Sequence, residues 1–290
     1  MPYWGIYLKS LSFNALQIGA LLSLFQISRI FAPNVLGWVA DQSGEYIKWI
    51  KISSFFGFII FMGIFWSNTF VNIFVVMMAM SIFTSSTLPL AESLTLAHLK
   101  ANKADSKYSH IRLWGSIGFI VAALSLGVMI DSYGERSLIY ALLITQLVIF
   151  FLAFILPEKK INFTKFNKRS IWPILKRREV IVLLLSCALM VSSHGLLYNF
   201  YSIFLEDQGY SGATIGLLWS VGVVFEILIF LLMPKILSKF TLKSVLLISI
   251  AFAVLRFFLI GAYVDSILIL IAAQIMHAAT FGSFHVASIQ

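Results

Sequence analysis

Apolar runs about 20 residues long recur from one end of the chain to the other, separated by short polar turns. As a helix, such a run rises about 30 Å, the thickness of a bilayer's hydrocarbon layer. The pattern predicts nine spanning helices, over residues 15–39, 48–66, 71–97, 111–131, 137–156, 180–204, 213–237, 244–264 and 266–289. The turns are compact, as at Ser67-Asn68-Thr69 and Asp131-Ser132-Tyr133-Gly134, except for one long polar stretch at 158–179. Residues 3–8 are apolar but too few to cross, and they lack the basic start and cleavage site of a secretory signal. They read as the tail of one more helix.

Composition agrees with an all-α membrane protein. The 290 residues are 60% hydrophobic and 11% charged, whereas soluble domains carry roughly 25% charged residues. The one cysteine, Cys187, falls inside an apolar run, so neither an internal disulfide nor a cysteine-based metal cluster can form. A net charge of +9 raises nucleic acid as a partner, but the positions of the charges point elsewhere. Lysine and arginine concentrate around 48–51, 100–112, 159–178 and 235–243, which hold 17 of the 21 basic residues and all fall on one side of the predicted topology. The opposite side has only Lys9 and Arg136, with Glu135, Glu206, Asp207 and Asp265. By the positive-inside rule the basic side is cytoplasmic, including 158–179 as a linker that also touches anionic lipid. No nucleic-acid partner is expected; the bilayer is. Trp38, Trp49, Trp66 and Trp114 lie near span ends, where indoles anchor a helix at the interface.

Residues 3–23 resemble residues 200–220. Ile6, Leu8, Ile18, Gly19, Leu21 and Ser23 match Ile203, Leu205, Ile215, Gly216, Leu218 and Ser220 at one offset of 197. The orientation repeats too, so the chain is expected to hold two parallel helical repeats, as the halves of major facilitator transporters do. This divides it into an N-terminal half (1–157), a cytoplasmic linker (158–179) and a C-terminal half (180–290). Used as a ruler, the repeat implies most of one helix absent before residue 1 and two after residue 290, that is, about nine of twelve helices. A genuine nine-helix protein is the competing reading.

Particular segments support the same group. Gly37-Trp-Val-Ala-Asp41-Gln-Ser-Gly44 resembles the major facilitator loop signature, departing from it at Gln42, Glu45 and Tyr46, where that signature carries basic residues. Tyr108-Ser-His-Ile-Arg112-Leu-Trp114-Gly115-Ser116-Ile-Gly118-Phe119 and Pro89-Leu-Ala-Glu92 resemble the fifth- and fourth-helix segments of the phenylpropionate permease-like branch, related to oligosaccharide and nucleoside proton symporters. The segment from Gln274 through His277 and Phe281 to His285 is similar to that branch's tenth helix. The resemblance implies a secondary transporter in a bacterial inner membrane, with Gly37, Asp41 and Gly44 as a conformational loop motif and with the helices carrying His194 and Gln274 lining the cavity.

Charges within spans are costly, at least about 2.5 to 3.5 kcal/mol each on the permissive insertion scale, and mark partners or water-filled cavities. Glu226 and Arg256 both fall in the middle third of the bilayer, either as an ion pair or with Glu226 as a proton carrier. Arg29 occupies the position in the first repeat that Glu226 holds in the second, suited to a substrate carboxylate or to an interhelical ion pair. Glu92 lies near the cytoplasmic end of its span, after Ser85-Ser86-Thr87 and Pro89, which should loosen the helix; it reads as a gate or proton site, or as an ordinary interfacial acid. His194, Tyr198, Asn199, Gln274, His277 and Phe281 offer imidazole, amide and aromatic groups suited to a flat aromatic acid, or else they hydrogen-bond neighbouring helices.

His277 and His285 are about 12 Å apart along a helix, too far to share a metal. No nucleophile elbow, phosphate-cradling glycine loop or metal-ligand motif is visible, so neither an enzyme nor a cofactor is expected. The sequence thus predicts a proton-coupled carrier of a small organic solute. A chain that transports nothing, as a remnant or a membrane interaction partner, is the rival reading.

Overall fold

The computed structural model describes residues 2–104, 107–157 and 172–289. These form α1 (Trp4–Ser10), α2 (Ala15–Ser43), α3 (Tyr46–Met62), α4 (Phe70–Ala101), α5 (Tyr108–Tyr133) and α6 (Ser137–Leu152). After the undescribed part of the linker come α7 (Trp172–Leu175), α8 (Arg178–Asp207), α9 (Gly212–Leu237), α10 (Leu242–Ala262), α11 (Ile267–Ile275) and α12 (Phe284–Ile289). Eight segments are long and apolar enough to cross a membrane, and the ninth expected span, α6, is shorter at 16 residues. Residues 158–171 of the expected linker lie outside the described residues.

Two expectations about helix continuity are corrected. The last span is interrupted by a π-helical turn at Ala278–Ser283. Conversely, α4 runs unbroken through Pro89. Proline removes one backbone donor there, and just before it Ser86 Oγ and Thr87 Oγ1 each donate to the carbonyl four residues back.

The helix ends reproduce the repeat. Ser12 has φ 64° and Gly209 φ 83°, both left-handed and 197 residues apart. Two residues later Asn14 and Ser211 each cap the following helix, accepting from the backbone N–H of Gln17 and Thr214 respectively. Equivalent positions thus end one helix, reverse the chain and start the next with the same backbone chemistry.

Packing groups the chain into two compact units, one comprising Trp4–Arg112 and Tyr133–Phe166, the other Met1–Tyr3, Leu113–Ser132 and Asn167–Gln290. This grouping differs from that of the repeat in one helix, since most of α5 belongs with the second unit. The cause is a crossing built on small residues. A Cβ on Gly212 would lie 2.7 Å from the carbonyl of Gly127, and one on Gly216 would collide with the carbonyl of Ala123. Tyr3 Oη donates to the carbonyls of Ala123 (2.7 Å) and Gly212 (3.0 Å). The Asp131 carboxylate accepts from the N–H groups of Gly212 (2.6 Å) and Ala213 (2.8 Å), satisfying the start of α9.

Within the first unit, α2 and α3 both pack on α4, and α6 packs on α3. Small polar residues let the helices approach: Ser28 Oγ of α2 meets Ser81 Oγ of α4 at 2.5 Å, and Ser53, Ser54 and Ser86 are buried. Large apolar residues such as Leu189, Val191 and Leu231 face outward, as lipid contact allows. Of the expected anchors, Trp38, Trp66 and Trp114 are exposed, whereas Trp49 packs on the core and donates to Ser43 Oγ.

Candidate functional site

The second unit holds a polar cluster centred on Arg256, whose side chain is fully buried. A buried guanidinium is tolerable only if its donors are met. Its Nε donates to the carbonyl of Ala273 at 2.9 Å and its Nη2 to Gln274 Oε1 at 3.1 Å. Its Nη1 lies 3.1 Å from His277 Nδ1 and 3.5 Å from both His194 Nε2 and Thr280 Oγ1. Positions 273, 274, 277 and 280 recur at helical spacing, which puts them on one face toward Arg256, and the π-turn at Ala278–Ser283 begins within this stretch.

These partners determine the histidine tautomers. Arginine has only donors, so His277 Nδ1 must accept and its hydrogen sits on Nε2. That Nε2 faces Glu226 Oε2 at 3.5 Å. Glu226 and Arg256, expected as a direct pair, are therefore linked through an imidazole instead. His194 takes the opposite tautomer: its Nδ1 lies 3.0 Å from the Met190 carbonyl, while Nε2 faces Thr280 and Arg256. Both imidazoles are neutral in this arrangement, and among the described residues Glu226 is the one acid at the cluster. Gln274 spends its carbonyl on Arg256, and its Nε2, like Tyr201 Oη, has no hydrogen-bond partner among the described residues.

An aromatic wall adjoins the cluster. His277 stacks on Phe281 (5.3 Å between centroids, 12°), and Phe281 on His285 (6.0 Å, 5°). Tyr198 stands nearly perpendicular to His277 and Phe281 and stacks on Trp219 at 5.9 Å. Trp219 Nε1 donates to Ser202 Oγ. Gly282 makes room for this packing, since a Cβ there would come within 2.5 Å of Ile229 and 3.6 Å of Glu226 Cγ.

Of the residues expected in the site, His194, Tyr198, Gln274, His277, Phe281 and Glu226 come together. Asn199 makes no side-chain hydrogen bond among the described residues. Thr280, Trp219 and the central position of Arg256 were not anticipated. Thr280 had a signal, lying three residues beyond His277 on the motif, whereas Trp219 had none beyond its helix.

The other candidates lie in the first unit. Arg29 is exposed and sits over Phe25, its guanidinium carbon 5.0 Å from the ring centre. It makes no ion pair among the described residues, so the interhelical pair expected as an alternative is not formed within them. Glu92 Oε1 accepts from Arg112 Nη1 at 2.7 Å, and that nitrogen also lies 3.4 Å from Tyr108 Oη. In the loop motif, Gly44 has φ 68° and terminates α2 in the left-handed conformation, which explains that glycine. A Cβ on Gly37 would meet nothing within 4 Å. Tyr46, standing where the signature carries a basic residue, donates its hydroxyl to Asp41.

A helical membrane chain with a buried, charge-balanced cluster beside an aromatic wall, built from two parallel repeats, defines a secondary transporter of the major facilitator fold. The chain belongs to the MFS_1 like family, whose model matches residues 1–290. It is 28% identical over 296 residues to a probable 3-phenylpropionic acid transporter of Escherichia coli (strain K12), covering all of this chain and 76% of that one. It is 26% identical over 314 residues to the nucleoside permease NupG of the same organism, covering 98% of this chain and 74% of that one. A crystal structure of a NupG mutant matches the fold with a TM-score of 0.86 at 23% identity, over 98% of this chain and 75% of that one. The family and these relatives are transporters and not enzymes, and the chain is a multi-pass membrane protein homologous to inner-membrane transporters.

Proposed function

We propose that this carrier takes up a small organic anion, such as an aromatic carboxylate, together with a proton. The supporting observation is the chain of contacts from Glu226 through His277 to Arg256. With Glu226 ionised, the buried charges cancel. A proton arriving at Glu226 removes that balance and leaves the Arg256 cation uncompensated, at high energy in a low-dielectric interior. A substrate anion entering beside the cluster restores it. Proton and anion therefore favour each other's binding, which is the thermodynamic requirement of symport.

In this reading Glu226 exchanges the proton and His277 keeps it in register with Arg256. Gln274, His194, Tyr198, Asn199 and Phe281 shape the cavity for a flat ring. Arg29, at the equivalent position of the other repeat and with no ion pair among the described residues, attracts the carboxylate. Glu92 forms a breakable contact with Arg112 near the cytoplasmic end. Gly37, Asp41 and Gly44 tie the α2–α3 turn as the repeat-derived halves alternate access.

The test is uptake by reconstituted chain with an imposed inward proton gradient. Labelled 3-phenylpropionate is expected to accumulate, and Glu226→Gln is expected to abolish accumulation while leaving substrate exchange across the membrane. Accumulation unaffected by Glu226→Gln would refute the coupling. A second reading, nucleoside symport, draws on the relationship to NupG and on the same aromatic wall, which would stack on a base. Uridine accumulating in place of the acid would establish it, and no uptake of any such solute would count for a chain that does not transport.

A further inference from the structure

A polar pocket lies in the first unit. It is a partly open pocket of about 150 Å³ lined from α1, the 3-10 turn after α3 and the start of α6, on the side opposite the cytoplasmic charges. Its floor is apolar, from Ile64 and Phe65 in the 3-10 turn that follows α3, and from Tyr140, whose ring lies 5.3 Å from that of Phe65. Its polar groups are Tyr7, Asn68 and Arg136. We infer that this pocket is a binding site for a small aromatic carboxylate; the inference rests on the reading of the chain as a carrier of organic anions.

Three features point to a ligand. Tyr7 is 2% exposed and presents a phenol with no hydrogen-bond partner among the described residues. Its hydroxyl opens on the pocket, where it can donate to a ligand. Arg136 likewise makes no ion pair among the described residues, although Glu135 is its neighbour in sequence. Its placement opposes two rules at once, since it is one of two basic residues on the acidic side and stands at the N-terminal, positive end of α6. Both effects raise the potential at the cavity mouth and favour an anion. Guanidinium binds a carboxylate through two parallel N–H groups. A cavity of 150 Å³ is the size that accommodates one benzene ring. The carboxylate then sits on Arg136, with Tyr7 and Asn68 donating, and the ring lies against Phe65 and Tyr140.

Benzoate is the probe, titrated calorimetrically into the purified full chain. Acetate supplies the charge without the ring, benzamide the ring without the charge, and inorganic phosphate an anion of other shape. Benzoate is expected to saturate a site, with acetate, benzamide and phosphate each at least tenfold weaker. Arg136→Gln should weaken benzoate at least tenfold, Arg136→Lys less, and Tyr7→Phe severalfold. Tyr7→Phe keeps the ring and its packing, so it reports even if the arginine variants misfold. No saturable benzoate binding, phosphate binding as tightly as benzoate, or wild-type affinity in both Arg136→Gln and Tyr7→Phe would overturn the inference. Because binding is read without transport, uptake can fail while this site stands, and this site can fail while uptake persists.

Discussion

Glu226 and Arg256 are joined through His277, which accepts from the arginine on one nitrogen and faces the carboxylate with the other. The ring is thus committed to one tautomer by a group that never gives up its proton. A second proton on His277 would have to sit on Nδ1, directly against Arg256.

His277→Ala removes the acceptor of a buried charged donor. The expected loss is about 1.5 to 3 kcal/mol of unfolding free energy, read as a lowered unfolding midpoint in detergent. His277→Gln, which can still offer an oxygen to Arg256, should recover much of that loss. Equal destabilisation by both would show that the contact contributes nothing.

The paired left-handed residues Ser12 and Gly209 should respond oppositely. Gly209→Ala places a Cβ in a conformation that costs an L-residue roughly 1 to 2 kcal/mol. Ser12→Gly relieves the same strain, offset in part by roughly 0.5 to 1 kcal/mol of added chain entropy. Thermal unfolding should therefore fall clearly for the first and change little or rise slightly for the second.

Asp131 closes the N-terminal end of α9 from a different helix. Asp131→Ala leaves the N–H groups of Gly212 and Ala213 without their acceptor, an expected loss of about 0.5 to 2 kcal/mol by analogy with capping. Hydrogen exchange should rise at 212–214 before it rises elsewhere in α9. Uniform exchange along the helix would argue against a capping role.

The contact between Glu92 and Arg112 is partly exposed, with side chains 36% and 65% accessible. Such pairs contribute about 0.2 to 1 kcal/mol, so Glu92→Gln should barely shift the unfolding midpoint. Its effect should appear in transport rate instead, if the contact opens and closes during the cycle. Rates matching the unaltered protein would leave Glu92 as an interfacial acid.

The spans were legible because length and hydropathy are local properties: eight of the nine expected positions are helices long enough to cross, with ends moved by a few residues, and the ninth, α6, is a shorter apolar helix. The repeat was legible in identities such as Gly19 and Gly216, and the structure extends it to residues that do not match. Ser12 and Gly209, or Asn14 and Ser211, are different amino acids doing the same backbone work. Six of the site residues were visible as polar or aromatic groups inside apolar helices. What remained hidden depended on distant partners. Asp131 caps a helix 81 residues away, and the π-turn at 278–283 has no proline to announce it. The loop motif shows the same limit, because Tyr46 looked like a departure and proved to be the donor to Asp41.

The crossing of α5 on α9 touches backbone to backbone at Gly127, Gly212, Gly216 and Ala123, with Phe119 meeting Trp219 edge-on further along. Ordinary helix pairs mesh like gears, and turning one past the other forces rotamers to jump. Here the closest contact is backbone on backbone, held at its edges by Tyr3, Asp131 and the Phe119–Trp219 ring contact. A molecule that must tip repeatedly needs one bearing of that kind.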